Sequence, residues 1–538
     1  MGVERGSGHR RRRTLCAAVL ASLLVTTHVT AADAAVAPPP PPQLTDKQVN
    51  DAVARLDGMV LDGMKRTGVP GVAVAVVHED RVIHIRGFGE REAGKPGAVT
   101  PDTVFQLASV SKPMASTVVA GAVGDKAITW DDPVVGHLPG FALKDRWVTE
   151  HVTVADLFSH RSGLPEHAGD LLEDLGYDRD YVLSRLRHEP LTPFRASYAY
   201  NNFGVTAASE AVANAKNTPW EQLCEDTLYA PAGMHSTSSR FADYEKAGNK
   251  AVMHVKAGGT WEPKYVRDTD VTAPAGGVSS TARDMTRWMR LQLAGGSLGD
   301  DHIIPTAPLS RTHLPEIDSH PPANPAGRTG FYGLGWNVGY DDRGRLRLGH
   351  SGAFNLGVNT NVSMLPSEEL GIVVLTNGEP VGLADAIAVN FYDTAQYGKP
   401  TDDWLTRIGK VYQQEERKAR SPTDYTRPPS DTAEAQPDDT YTGTYRNDYY
   451  GPLAVTAAAD GRLTLQLGPK PQRFPLTHYD GNTFSFTPVG ENAAGPTGVT
   501  FTVDSAGKAS KVRVESLDKT GLGTFTREER TQGAASPP

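Results

Sequence analysis

The chain has 538 residues, 22% charged and 39% hydrophobic, which suits one or more globular units with a substantial core. Its formal net charge is −9 at pH 7. An acidic balance of that size argues against nucleic acid or an anionic membrane as a partner.

The first 34 residues read as a sorting leader. Arg10 to Arg13 form a positive start, Leu15 to Val29 is mostly apolar, and Ala32-Asp33-Ala34 offers an A-x-A cleavage site. The apolar run is too short and too interrupted to cross a membrane. The expectation is a secreted protein, cleaved after Ala34, with no stable membrane anchor. Arg12-Arg13 fits an ordinary basic start better than a twin-arginine signal. Cys16 falls inside the leader, so Cys224 is the one thiol left and no internal disulfide is expected. Its setting, Trp220 to Glu225, suits a buried structural cysteine. Residues 35–44 contain Pro38 to Pro42 and form a stiff spacer.

Thr45-Asp-Lys-Gln48 is a capping box, and Val49, Val53, Leu56, Val60 and Met64 follow at helical spacing up to Gly68. Val72 to Val77 is a continuous apolar run, which predicts a strand covered on both faces, with Val82 to Ile85 returning as a hairpin. Ser109-Val-Ser-Lys112 then opens a helix apolar on every side. Pro113 is tolerated only in the first turn, so the helix begins close to Ser109. Ser109 and Lys112, three apart, share a face. A serine needs a base to become a nucleophile, and a lysine held in apolar surroundings can lose its charge and serve as one.

Thr153 to Phe158 predicts a capped helix leading into Ser159-His-Arg-Ser-Gly-Leu164. Tyr200 and Asn202 sit two apart in an irregular turn before an Ala-rich helix, so both can aim at one point. Tyr332-Gly-Leu-Gly-Trp336 and Arg345 to Leu348 read as strands, followed by His350-Ser351-Gly352, Val358 to Leu365 and Ile372 to Thr376. His151, His160 and His167 match no zinc spacing and read as structural or surface residues. Gly276-Gly277 is a tight turn rather than a phosphate loop. No metal and no cofactor are expected.

Ser109-x-x-Lys112, Tyr200-x-Asn202 and His350-x-Gly352, in that order, resemble the three motifs of the serine beta-lactamase and penicillin-binding protein superfamily. The resemblance is nearest to its class C branch, with DD-carboxypeptidases, D-aminopeptidases and esterases. It covers about residues 45–400 and includes Pro274-Ala-Gly-Gly277. It implies an α+β fold: an antiparallel sheet flanked by helices plus a helical region, with the site between them. It implies Ser109 as the acylated nucleophile, Lys112 and Tyr200 as the groups handling its proton, and leaves open which is the acylation base. Asn202, His350, Ser351 and Gly352 would position the substrate. The main-chain N–H groups of Ser109 and Ala353 would form the oxyanion hole. His350 stands where many beta-lactamases carry a lysine, which disfavours efficient beta-lactam hydrolysis, because histidine is largely neutral at pH 7.

Residues 401–439 suggest one amphipathic helix, near Trp404 to Arg417, and a proline-bearing polar linker. From Thr440 the apolar period changes to two, as at Leu463, Leu465 and Leu467, which predicts a small all-β barrel over 440–527 with a disordered tail at 528–538. Tyr441-Thr-Gly-Thr-Tyr445 and Tyr449-Tyr-Gly-Pro452 resemble the lipocalin-like domain often appended to this hydrolase family, with packing or assembly the favoured role. The implied function is a secreted serine hydrolase acting on D-amino-acid-containing peptides or small esters. Beta-lactam hydrolysis, acyl transfer to an amine, and a penicillin-binding receptor without turnover are the alternatives. The specificity loops are expected in 165–193 and 295–330. The oligomeric state is left open.

Overall fold

The computed structural model describes residues 42–529 apart from 459, 460 and 471. The expected leader and its cleavage site, most of the proline spacer and residues 530–538 of the tail lie outside the described residues.

An eight-stranded sheet organises the larger part of the chain. Its strands are β1 (Gly71–His78), β2 (Arg81–Gly89), β3 (Ile317–His320), β4 (Gly330–Tyr332), β5 (Asn337–Tyr340), β6 (Leu346–Phe354), β7 (Val358–Leu365) and β8 (Leu370–Thr376). Their order is β2-β1-β8-β7-β6-β5-β4-β3, and every neighbouring pair is antiparallel. The helices that matter below are α1 (Asp46–Thr67), α2 (Ser111–Gly124), α3 (Asp170–Asp174), α4 (Asn202–Ala215), α5 (Ala282–Leu293), α6 (Leu383–Tyr397) and α7 (Trp404–Ala419).

Both faces of the sheet are covered, which explains the unbroken apolar run in β1. Val72, Val74 and Val76 pack with α1 and α6 on one side. Ala73, Ala75 and Val77 join the core that holds α2, α4 and α5 on the other. The capping box at Thr45 is formed, and α1 ends where Gly68 turns left-handed at φ 75°. The 333–336 segment is not a strand, as the sequence suggested, but the turn joining β4 to β5. Trp336 in that turn stacks on Trp288 of α5, centroids 5.4 Å apart and planes 3° off parallel. The Trp288 Nε1 donates to Thr117 Oγ1 at 3.2 Å, tying α5 to α2.

The C-terminal part is a nine-stranded antiparallel sheet, β9 (Gly443–Asn447), β10 (Gly451–Ala457), β11 (Leu463–Leu467), β12 (Gln472–Pro475), β13 (Thr477–Asp480), β14 (Thr483–Phe486), β15 (Thr497–Val503), β16 (Ala509–Val514) and β17 (Thr524–Arg527). Its order is β12-β11-β10-β9-β17-β16-β15-β14-β13. The two end strands are joined through Leu476 alone, so the sheet curls into a nearly closed barrel. Tyr441, Tyr445, Leu465, Phe484, Phe501 and Phe525 fill it. The expected linker runs along the barrel: Tyr425 packs on Tyr479, and Asp480 accepts from the Ala433 N–H.

Trp288 is fully buried, so Trp288→Ala should destabilise the protein by about 3–5 kcal/mol through the cavity it leaves. Thermal unfolding followed by circular dichroism checks this as a lowered Tm.

Candidate active site

Ser109 lies in a one-turn 3-10 segment (Ala108–Val110) that leads straight into α2. The residue before it, Ala108, is left-handed at φ 49°, a conformation that costs a non-glycine residue about 1 kcal/mol or more. This segment rests on the sheet. The Thr360 hydroxyl of β7 donates to the Leu107 carbonyl at 2.7 Å. Gly352 of β6 comes so close that a Cβ there would collide with the Leu107 carbonyl and the Thr360 hydroxyl. Only glycine lets the serine turn reach the strand.

Lys112 is fully buried, with three partners within reach of its Nζ: Asn202 Oδ1 at 2.7 Å, the Ala275 carbonyl at 3.0 Å and Ser109 Oγ at 3.2 Å. The Asn202 and Ala275 oxygens can only accept. A neutral amine therefore spends its two N–H bonds on them and turns its lone pair to the Ser109 hydroxyl. Burial pushes Lys112 down to about 7, against the pull of Asp170. Tyr200 stands beside Ser109, and burial drives its phenol far above the ordinary range. Its ring carries Lys112 Nζ at 4.5 Å from the centroid. The serine thus has a basic amine on one side and a firmly protonated phenol on the other.

His350 faces the same layer. Its Nδ1 lies 2.7 Å from the Ser351 carbonyl, and its Nε2 lies 2.9 Å from the Tyr332 hydroxyl. A carbonyl only accepts, so Nδ1 carries the proton and Nε2 accepts from Tyr332. Burial, reinforced by Lys112, pushes His350 down to about 3, so the ring is neutral. Pairing of β6 with β5 stops at Gly349, which leaves the His350–Phe354 stretch of that edge without a strand partner. Such an edge can receive an extended peptide.

The structure corrects one expected side-chain role. Ser351 alternates to the opposite face of β6, where its hydroxyl donates to Asp385 of α6. Asp385 also accepts from Asn361 and Tyr412. The Ser351 side chain therefore braces the rear helix and does not face the substrate. Asn202, Gly352 and Ala353 belong to the elements that meet at Ser109, with Gly352 and Ala353 in the stretch of β6 that lies beyond its pairing with β5.

His160 packs on the rings of Tyr200 and Tyr332, with centroids 4.5 Å and 4.7 Å away. It is buried, which fits the structural role the sequence allows it. Asp170, Glu173 and Arg267 escape the sequence reading: the first two come from α3 and the third from a loop about a hundred residues further on, so no local pattern joins them. Cys224 is buried, and burial pushes its thiol up to about 12, as a structural cysteine requires.

A serine flanked by a desolvated lysine and a phenol, between a helical layer and an antiparallel sheet, is the arrangement of an acyl-transferring serine enzyme. The family model described as Beta-lactamase matches residues 56–391, and the chain belongs to that family of serine hydrolases. A second model, described as a domain of unknown function (DUF3471), matches residues 427–529. Penicillin-binding protein 4 of Amycolatopsis lactamdurans is 30% identical over 58% of this chain and 81% of its own length. The unguisins hydrolase ungD' of Aspergillus campestris is 26% identical over 59% of this chain, which spans 60% of that protein. The octameric penicillin-binding protein homologue from Pyrococcus abyssi superposes with a TM-score of 0.56 over 86% of this chain and 98% of its own, at 18% identity. At that identity the likeness concerns the fold.

Gly352→Ala should slow acylation of Ser109 by about tenfold or more, because the serine turn must move away from β6. Ser351→Ala should instead cost about 1–2 kcal/mol of stability, the order expected for a lost charge-assisted hydrogen bond. Rates of covalent labelling and melting temperatures of the two variants, measured side by side, check the contrast.

Proposed function

We propose that this protein is a secreted serine hydrolase that forms an acyl-enzyme on Ser109 and acts on D-amino-acid-containing peptides or small esters. The observation that carries the reading is the buried Lys112 amine 3.2 Å from Ser109 Oγ, with its other two contacts taken by obligate acceptors. In the first step Ser109 Oγ attacks the acyl carbon while its proton passes to Lys112. Tyr200, which keeps its proton, then supplies one to the leaving group and is restored by way of Lys112. The Ser109 and Ala353 N–H groups take the oxyanion. Water attacks the ester, the proton returns along the same groups, and Ser109 is freed. Lys112 is the base in this account because burial makes it neutral near pH 7 and keeps Tyr200 protonated.

The neutral His350 supports peptides and esters over beta-lactams as substrates, since it offers no positive charge to a beta-lactam carboxylate. The relatives' names supply further support for amide substrates: one is a penicillin-binding protein and another an unguisins hydrolase. Secretion rests on the leader of residues 1–34. Among the described residues no helix is long and apolar enough to cross a membrane.

The test is intact-protein mass spectrometry after treatment with a fluorophosphonate and, separately, a penicillin, with Ser109→Ala alongside. The expected outcome is one adduct per chain, absent from the variant, formed faster with the fluorophosphonate. No adduct with either probe, together with no turnover of a panel of D-amino peptides and short esters, would sink the proposal. The acylation rate should rise with pH through about 7 as Lys112 loses its proton. His350 should add no step there, being neutral above about pH 3. A rate that falls through pH 7 would instead make Tyr200 the base.

A further inference from the structure

A line of polar groups runs from the nucleophile to the C-terminal barrel. Lys112 Nζ donates to Asn202 Oδ1 at 2.7 Å, and Asn202 Nδ2 donates to Asp170 Oδ2 at 2.9 Å. Asp170 Oδ2 also lies 2.9 Å from His167 Nδ1. An amide can present either its oxygen or its nitrogen to a neighbour. A carboxylate accepts only, so Asp170 takes the NH2 end and leaves the oxygen for the lysine. Asp170 is 4% exposed, and its second oxygen, Oδ1, is buried without a hydrogen-bond partner. Packing alone gives no reason to keep so poorly satisfied a carboxylate there.

Asp170 begins α3, a helix of five residues that is too short to hold its own shape. The barrel grips it from the other side. Gly169, left-handed at φ 93°, donates its N–H to the Tyr449 hydroxyl at 2.9 Å. A Cβ at Gly169 would strike Phe203 and Val182, so the turn fits tightly on its inner side too. The Asp174 carboxylate accepts from the N–H groups of Glu491 and Asn492 and from the Asn492 side chain, at 2.9–3.0 Å. Arg267 joins Glu173 of α3 to Glu491 of the barrel, each at 3.1 Å.

We propose that Asp170 is the positioning residue of the Ser109–Lys112 pair, fixing the Asn202 amide with its oxygen toward the lysine, and that the C-terminal barrel holds Asp170 in place through Tyr449 and the 491–492 loop. The barrel is then part of the catalytic apparatus. The inference rests on Ser109 being the acylated nucleophile. It also has an electrostatic side. The charged groups facing Lys112 are Asp170, Glu173 and Arg267, and the rings around it are His160, His350 and Tyr200. Of these, Asp170 does most to favour the ammonium, so removing its charge makes the lysine easier to deprotonate. Glu173 and Glu491, pushed by burial up to about 7, titrate in the same window.

The experiment follows fluorophosphonate acylation of Ser109 against pH in the full chain, with melting temperatures. It compares wild type, Asp170→Asn, Asp170→Glu and Tyr449→Phe, and repeats Asp170→Asn on a Glu491→Gln background to separate the barrel carboxylate. Asp170→Asn is expected to fold, to acylate about 10- to 100-fold more slowly, and to shift the limb reporting Lys112 by about half a unit or more to lower pH, on both backgrounds. Asp170→Glu keeps the charge and should restore that limb. Tyr449→Phe should slow acylation several-fold without moving the limb. Folded Asp170→Asn with a rate and limb within twofold and 0.2 units of wild type, as about the limits of such a measurement, would overturn the role of Asp170. An unchanged Tyr449→Phe rate would overturn the role of the barrel. If Asp170→Asn does not fold, an Asp170→Glu limb displaced from wild type overturns the electrostatic role, and a restored limb supports it. A wild type that takes no label at all fails the nucleophile reading instead, a separate result.

Discussion

Everything near Ser109 depends on keeping an amine where water cannot reach it. A lysine placed there stays charged only if the protein replaces its hydration, and the protein replaces it sparingly. Two oxygens and a hydroxyl are supplied, enough to orient the amine and too few to hold the ammonium strongly. Each supporting feature serves that balance. The apolar, fully buried α2 carries the lysine, the Ala275 turn closes over it, and the Tyr200 ring covers its open side. The result is a buried amine whose proton is lost near neutral pH, at about 7.

Part of the backbone strain lies beside the same residues. Ala108, His160 and His167 are all left-handed without being glycine, at φ 49°, 59° and 60°. They precede Ser109, lie against Tyr200, and bond Asp170, respectively. The protein holds them there with rigid surroundings. Asp156, fully buried, binds both Arg161 and Arg195 and so fixes the two loops that flank His160 and Tyr200. Other left-handed residues, Glu79, Asp80, Lys126 and Asn217 among them, serve ordinary turns elsewhere in the chain.

Most elements, and the pairing of Ser109 with Lys112, are legible in the sequence because their signals are local. Ser109 and Lys112 lie within one turn, Tyr200 and Asn202 two residues apart, and the strands of the barrel alternate visibly from Leu463 onward. The 333–336 segment misled because glycine and aromatic residues serve a tight turn as readily as a strand. Ser351 was placed beside the substrate although period-two alternation puts it behind His350, on the side of Asp385. Asp170 and Arg267 are out of reach for a different reason. Their partners are Asn202 and Glu491, and no local pattern encodes such distant pairings.

One apolar core runs from α2 and α4 through Tyr177 into Tyr449, Tyr450 and the barrel interior, with the polar contacts of Glu173, Asp174, Arg267 and Glu491 beside it. The two halves therefore share solvent-excluded surface in the way that neighbouring secondary structures do, and the described residues form one compact unit. A module attached by such a surface is not exchanged freely in evolution. A lineage that lost the barrel would uncover Tyr177, Leu175 and the short Asp170 helix together, and would need to rewrite the 165–193 stretch in the same step. The barrel and that stretch should accordingly diverge as a linked pair, more slowly than the exposed loops around them.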